Sequence, residues 1–319
     1  MPSETQIDEI DTKILDMLTA DARTDLKDIA KECSLTPSAI LKRIKKLKTA
    51  KVIVGTSLEL KRGTLGYPTE ASIGISAENS RIDEVAKKIR SMPNVLVCAK
   101  SIGRYNLFAH VVARDLPELG NVAHCIKNVS GIRAITTNIH IDKSIRGMEG
   151  EAEDTERACK VDETDLKIIN ELLNDVQTPF VKIAENIGIS HENVRQRYER
   201  LRREAIIKNC SIVIDRSKTG YQGTAFFLVS CAKDQSKEST TIALKELRVF
   251  DYIIKVFGGA FDIFAIAPVK DLRDLGDLTD KLEKIREIEN IEVAILKFTY
   301  YAYVPKPLAP YKCDCIELS

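Results

Sequence analysis

The chain has 319 residues, 48 Lys+Arg against 47 Asp+Glu, and 44% apolar residues. That apolar share supports packed cores and excludes an unfolded chain, while the near-zero net charge excludes a uniformly basic DNA-coating protein. No apolar run nears the roughly 18 residues of a membrane span, and the polar, acidic start (MPSETQIDEI) does not read as a signal peptide, so a cytoplasmic protein is expected.

From the N-terminus, Ile7, Ile10, Ile14, Leu15 and Leu18 recur at helical spacing. Thr24 reads as the cap of a second helix with Leu26, Ile29 and Ala30 inside. After the short turn Ser34-Leu35, Thr36 caps a third helix with Pro37 at its first position and Ile40, Ile44 and Leu47 as its buried stripe. Helix, short turn and helix make a helix-turn-helix, whose second helix enters the DNA major groove. The outward face of that helix carries Ser38, Leu41, Lys42, Lys45 and Lys46, and Ile40–Lys51 holds six basic residues and no acid. Taken alone, such a run reads rather as a solvated face.

Beyond Gly66-Tyr67 the pattern changes to strand Thr69–Ala77, a helix on Ile82, Val85, Ala86 and Ile89, strands Val95–Ile102 and Leu107–Ala113, helix Leu116–Val129 and strand Ile132–Ile141. That order is βαββαβ, the ferredoxin-like arrangement. The segment 146–160 (RGMEGEAEDTERACK) is charged and poor in apolar residues, which suits a linker or an exposed helix. Either way the two halves read as separate folding units.

The chain then repeats itself. A shift of 154 aligns residues 8–67 with 162–221, with 17 identities in 60 columns and no gap. Ser190 caps the second copy's third helix, and Val194, Tyr198 and Leu201 form its stripe. Its outward residues are His191, Glu192, Arg195, Gln196, Glu199 and Arg200, where the acids oppose phosphates and weaken this head. Arg and Gln can contact guanine and adenine edges bidentately, and His191 either touches a phosphate or is simply exposed. Basic runs at matching places in two copies favour DNA over a solvated face. Strands and helices follow as Gly223–Ala232, Ser236–Leu247, Asp251–Phe257, Phe261–Ala267, Asp271–Ile288 and Ile291–Val304. The fold class is α+β, with winged-type helix-turn-helix domains at 1–60 and 161–214, ferredoxin-like domains at 61–145 and 215–304, the linker between, and a tail at 305–319.

Eight cysteines lie mostly in apolar or helical stretches, as reduced cysteines do in cytoplasmic proteins. Cys313 and Cys315 in the tail invite a redox or metal reading, but two thiolates do not complete a site, and a reduced tail is favoured. His110, His124 and His140 read as packed core histidines rather than ligands. No catalytic residue, metal ligand or cofactor is expected.

The motifs Asp8-Glu9-Ile10-Asp11-Thr12-Lys13-Ile14-Leu15, Ala22-Arg23, Leu65-Gly66-Tyr67 and Gly103-Arg104-Tyr105-Asn106, in that order and largely doubled, resemble the Lrp/AsnC (feast/famine) family. The resemblance implies a transcription regulator with helix-turn-helix heads on double-stranded DNA. It also implies dimers through ferredoxin-like domains, frequent higher assembly, and small-molecule effectors, often amino acids, near a Gly-x-Tyr-Asp turn. Gly103, Tyr105, Asn106, Gly259, Phe261 and Asp262 are thus effector-site candidates, although Asn106 and Phe261 depart from the pattern and both turns also read as plain strand connections. A duplicated chain should resemble the family's dimer and, because the two reading helices differ, should prefer an asymmetric target. An architectural DNA-wrapping protein is the alternative. A tetrapyrrole-modifying enzyme related to sirohaem decarboxylases is set aside for want of a histidine cluster, so the chain is expected not to be an enzyme.

Overall fold

The computed structural model describes residues 7–145 and 161–296. The linker 146–160 and the tail with Cys313 and Cys315 lie outside the described residues. In chain order, the first copy comprises α1 (Glu9–Ala20), α2 (Leu26–Glu32), α3 (Pro37–Thr49), β1 (Ile53–Leu60), β2 (Thr69–Ala77), α4 (Ile82–Ser91), β3 (Val95–Ile102), β4 (Leu107–Ala113), α5 (Leu116–Lys127) and β5 (Ile132–Ile145). The second comprises α6 (Glu163–Asn174), α7 (Phe180–Ile187), α8 (His191–Arg203), β6 (Ile207–Ile214), β7 (Gly223–Cys231), α9 (Lys237–Glu246), β8 (Tyr252–Phe257), β9 (Ile263–Val269), α10 (Leu272–Glu283) and β10 (Ile288–Leu296).

Like halves of the two copies pair, so the copies are not separate folding units. One compact unit holds α1–α3 and β1 together with α6–α8 and β6. Strands β1 and β6 run antiparallel, with Leu58 opposite Cys210. The core beneath them joins Ile14, Leu18, Ile40 and Leu47 to Ile168, Leu172 and Leu201. Across this pairing the Arg23 guanidinium lies 4.1 Å from the centre of the Phe180 ring and donates to the Val176 and Thr178 carbonyls. Both strands escape the sequence reading because each finds its partner in the other copy, with no hairpin turn to announce it.

Local capping explains where the helices start. Thr36 Oγ accepts from the Ala39 amide at 3.3 Å, and Ser190 Oγ from the Asn193 amide at 3.2 Å, as expected from Ser and Thr at N-caps. The second helix is capped by Asp25, not Thr24: Asp25 accepts from the Lys27 amide at 2.8 Å, while the Thr24 hydroxyl donates back to the Asp21 carbonyl. An ionised acceptor at the helix start outcompetes the neighbouring hydroxyl.

The second compact unit holds both βαββαβ domains, whose strands close into one barrel in the order β10-β3-β4-β2-β5-β8-β9-β7. The copies meet along two seams, β5 with β8 and β10 with β3. That contact explains why β5 runs past the expected Ile141 to Ile145: its last residues pair with β8, Asp142 opposite Lys255. Alternate residues of each strand separate two cores. Ala71, Ile73 and Ile75 of β2 pack on Val85, Ile89, Leu119 and Val122 of α4 and α5. The opposite face turns into the barrel, where Phe108 meets Phe226 at 4.7 Å and Phe226 meets Phe264 at 5.1 Å between ring centres.

Glycine matters most at Gly74 on β2. A β-carbon there would sit 2.7 Å from the buried Tyr105 ring, so Gly74→Ala should destabilise the barrel by about 1–3 kcal/mol. Gly276→Ala, in α10 with open space around it, should instead stabilise by about 0.5–1 kcal/mol. Urea unfolding of the two variants side by side checks both signs.

Candidate nucleic-acid interface

Helix α3 holds its buried stripe inward and presents Ser38, Leu41, Lys42, Lys45 and Lys46 to solvent. Thr36 sits at the head of the helix, its hydroxyl 3.0 Å from that of Ser38. Among the described residues, Lys42, Lys45 and Lys46 have no carboxylate partner. This face is therefore cationic and uncommitted, the condition for displacing counterions from DNA phosphates.

Helix α8 presents the same face with different chemistry. His191 is exposed at the first turn beside the Ser190 cap. Arg195 is held between Glu192 at 2.8 Å and Glu199 at 3.3 Å, and Gln196 donates to Glu192 at 3.0 Å. The guanidinium of Arg195 keeps the Glu192 carboxyl below its usual range. Both candidate base readers are thus engaged within their own helix and must let go of Glu192 to reach a base edge.

Arg43, Arg197 and Arg200 of these helices turn back into the fold. Arg43 bonds Asp8 at 2.8 Å and Asp11 at 2.7 Å, and Arg197 bonds Asp162 at 2.6 Å and Asp165 at 2.8 Å. Each aspartate pair is a capping box at the start of α1 or α6, and the side chains of Asp11 and Asp165 are fully buried. Arg200, expected on the reading face, is instead bonded to Asp165. A buried carboxylate attracts a second guanidinium more strongly than bulk water does. The signal was present in the repeat: Asp8, Asp11 and Arg43 recur unchanged as Asp162, Asp165 and Arg197.

The two glycine turns lie where the copies meet. Gly103, at φ +145, leaves 3.1 Å between a would-be β-carbon and Ala294 of β10, and Gly259 abuts the Asn138 side chain of β5. Tyr105 and Phe261 are buried. Asn106 accepts from the Ala77 amide at 2.8 Å and donates to its carbonyl at 2.7 Å. Asp262 accepts from the Cys231 amide at 3.0 Å and is paired with Lys237 at 3.1 Å. Arg104 forms an ion pair with Glu292 of the other copy and lies 5.5 Å from the Phe261 ring centre. The side chains expected to hold an effector therefore already close the turns and the seams.

One cluster was not anticipated. Glu70 of β2, His110 of β4 and His140 of β5 converge inside the barrel. His110 Nε2 lies 2.8 Å from a Glu70 oxygen, and His140 Nδ1 lies 3.9 Å from the same oxygen. The two rings are 5.0 Å apart, and His140 Nε2 is 2.8 Å from Ser72 Oγ. Burial pushes His140 down to about 3, so its imidazole is neutral at ordinary pH. In sequence the three residues are separated by 40 and 30 positions, and only the strand pairing brings them together.

Comparison with known proteins agrees with this architecture. The AsnC-type helix-turn-helix domain matches residues 7–48 and again 161–202, and the Lrp/AsnC ligand binding domain matches residues 70–149. The regulatory protein AsnC of Haemophilus influenzae is 32% identical over 141 residues, which is 44% of this chain and 94% of that protein. The chain belongs to the Lrp/AsnC family. The transcriptional regulator LrpA of Pyrococcus horikoshii gives the same proportions, 30% identity over 43% of this chain and 98% of its own. Each relative thus corresponds to about one copy of this doubled Lrp/AsnC protein.

Among solved structures, siroheme decarboxylase NirDL superposes with a TM-score of 0.65 at 15% identity, covering 92% of this chain and 95% of NirDL. At that identity the likeness shows the shared fold. It also overturns the expectation that the chain is not an enzyme, since an enzyme carries the same doubled architecture from end to end. The reason given for that expectation fails as well, because the barrel does gather two histidines and a glutamate. Among the described residues, no helix is long and apolar enough to cross a membrane.

Proposed function

We propose that this Lrp/AsnC protein regulates transcription by sequence-specific binding to double-stranded DNA through two unequal heads in one chain. The observation that carries this reading is the contrast between α3 and α8. The lysines of α3 stand free at the positions where α8 has Gln196, Glu199 and Arg200, committed within the protein or acidic. The first head supplies phosphate affinity, and the second adds contacts of a different sequence preference. A mobility-shift assay on fragments of the source genome, at fixed salt with excess non-specific competitor, tests it. A specific-to-nonspecific ratio near one would favour architectural wrapping instead.

The matched ligand binding domain supports effector control and self-association through the barrel unit. An amino-acid ammonium drawn to Asp262 must displace Lys237, and Asn106 offers it no charge. Calorimetric titration with amino acids measures whether any displaces it. Light scattering of the full chain measures the assembly.

A second reading, an enzyme acting on a tetrapyrrole, draws support from the end-to-end likeness to NirDL and from the histidine-containing cluster. Titration with sirohaem separates it from the first. An absorbance change on binding, followed by loss of carbon dioxide, would favour the enzyme, and an unchanged spectrum would remove it.

A further inference from the structure

We propose that Glu70, His110 and His140 form a binding site for one divalent transition-metal ion of the zinc class, inside the barrel and in the first ferredoxin-like domain alone. The three residues sit on adjacent strands in the order β4-β2-β5. Ser72 lies opposite both His110 and Asn138, and Ala71 opposite Ile139, which sets Glu70 beside His140 on the face turned away from the helices. Their ligand atoms all lie within 4.8 Å of one another. Tetrahedral zinc with bonds of about 2.0–2.1 Å spaces its donors by about 3.3 Å. The separations of 2.8 and 3.9 Å straddle that figure.

The surroundings suit a ligand rather than a packed core. His140 Nδ1 is buried without a hydrogen-bond partner and faces Glu70, while its Nε2 is fixed by Ser72. A metal-ligating imidazole is commonly oriented in this way, its second nitrogen held by an outer group. Glu70, its side chain 21% exposed, links the site to solvent. Two imidazoles and a carboxylate suit zinc, cobalt, nickel or ferrous iron rather than magnesium or calcium. Three protein donors also leave a fourth position open to water or a small ligand.

The repeat supplies an internal control. The matching ladders place Thr224, Phe226, Ile266, Ala294 and Leu296 where the first copy has Glu70, Ser72, His110, Asn138 and His140. The same barrel is therefore built there from apolar or neutral residues, and the fold does not need the polar set. Burying a carboxylate and two imidazoles costs free energy that a hydrophobic set avoids. A bound cation offsets that cost.

The test uses the full chain stripped by a chelator and titrated with Co²⁺, then Zn²⁺. One equivalent of Co²⁺ should give visible d–d absorption that Zn²⁺ removes, and Zn²⁺ should raise the unfolding temperature. Glu70→Gln should weaken Zn²⁺ binding by at least about tenfold. A triple variant carrying the second copy's residues (Glu70→Thr, His110→Ile, His140→Leu) should lose the Co²⁺ band while still unfolding cooperatively. If the triple variant does not fold, Glu70→Gln decides. No band at one equivalent, or a band and thermal shift that survive Glu70→Gln unchanged, overturns the proposal and assigns any binding to the thiols.

Discussion

Replacing Lys42, Lys45 and Lys46 together by Gln should lower DNA affinity about a hundredfold near physiological salt, while the fold stays intact. All three are exposed and, among the described residues, without a carboxylate partner, so their removal costs no internal bond. Each phosphate contact contributes about 0.9 to the slope of log affinity against log salt, so the slope should fall by about 2.7. Arg195→Ala on the other head should change affinity by less than about threefold, because Arg195 spends its charge on Glu192 and Glu199. Binding isotherms at several salt concentrations read both quantities. Equal losses from the two heads would mean that the internal ion pairs of α8 open on DNA.

Arg43→Met should destabilise the helix-turn-helix unit by about 3 kcal/mol, whereas Arg197→Met should cost about 1 kcal/mol. Both substitutions remove a guanidinium from an aspartate pair, and Arg197→Met also removes a bond to the Asn193 side-chain oxygen at 2.8 Å, but the aspartates left behind differ. Asp11 has Arg43 as its guanidinium partner, so losing it strands a fully buried carboxylate. Asp165 keeps Arg200 when Arg197 is lost. The first copy has Lys46 at the position of Arg200, exposed and turned to solvent. Urea unfolding of the two variants gives the difference, and equal costs would mean that Arg200 does not hold Asp165.

What the sequence disclosed was local or periodic. The 154-residue shift is periodic, the caps at Thr36 and Ser190 and the βαββαβ order depend on near neighbours, and all appear in the structure. What it withheld depends on partners far along the chain. β1 and β6 pair across copies, so neither carries a turn signal. Arg200 leaves the reading face because a carboxylate 35 residues away is buried beneath it. His110 and His140 sat singly in apolar strands and read as core, since nothing in their spacing tells that β2 runs between them and carries Glu70. That gap also supplied the ground on which an enzyme was excluded, and the cluster removes it.

Selection of binding sites from random DNA by the full chain, followed by footprinting at fixed salt, tests the two unequal heads most directly. The expected result is an enriched, asymmetric site with two half-sites spaced by about one helical turn or a multiple of it. Protection of one half should vanish in the Lys42→Gln, Lys45→Gln, Lys46→Gln variant. No enrichment over random DNA, or a palindrome whose halves stay equally protected in that variant, would contradict it.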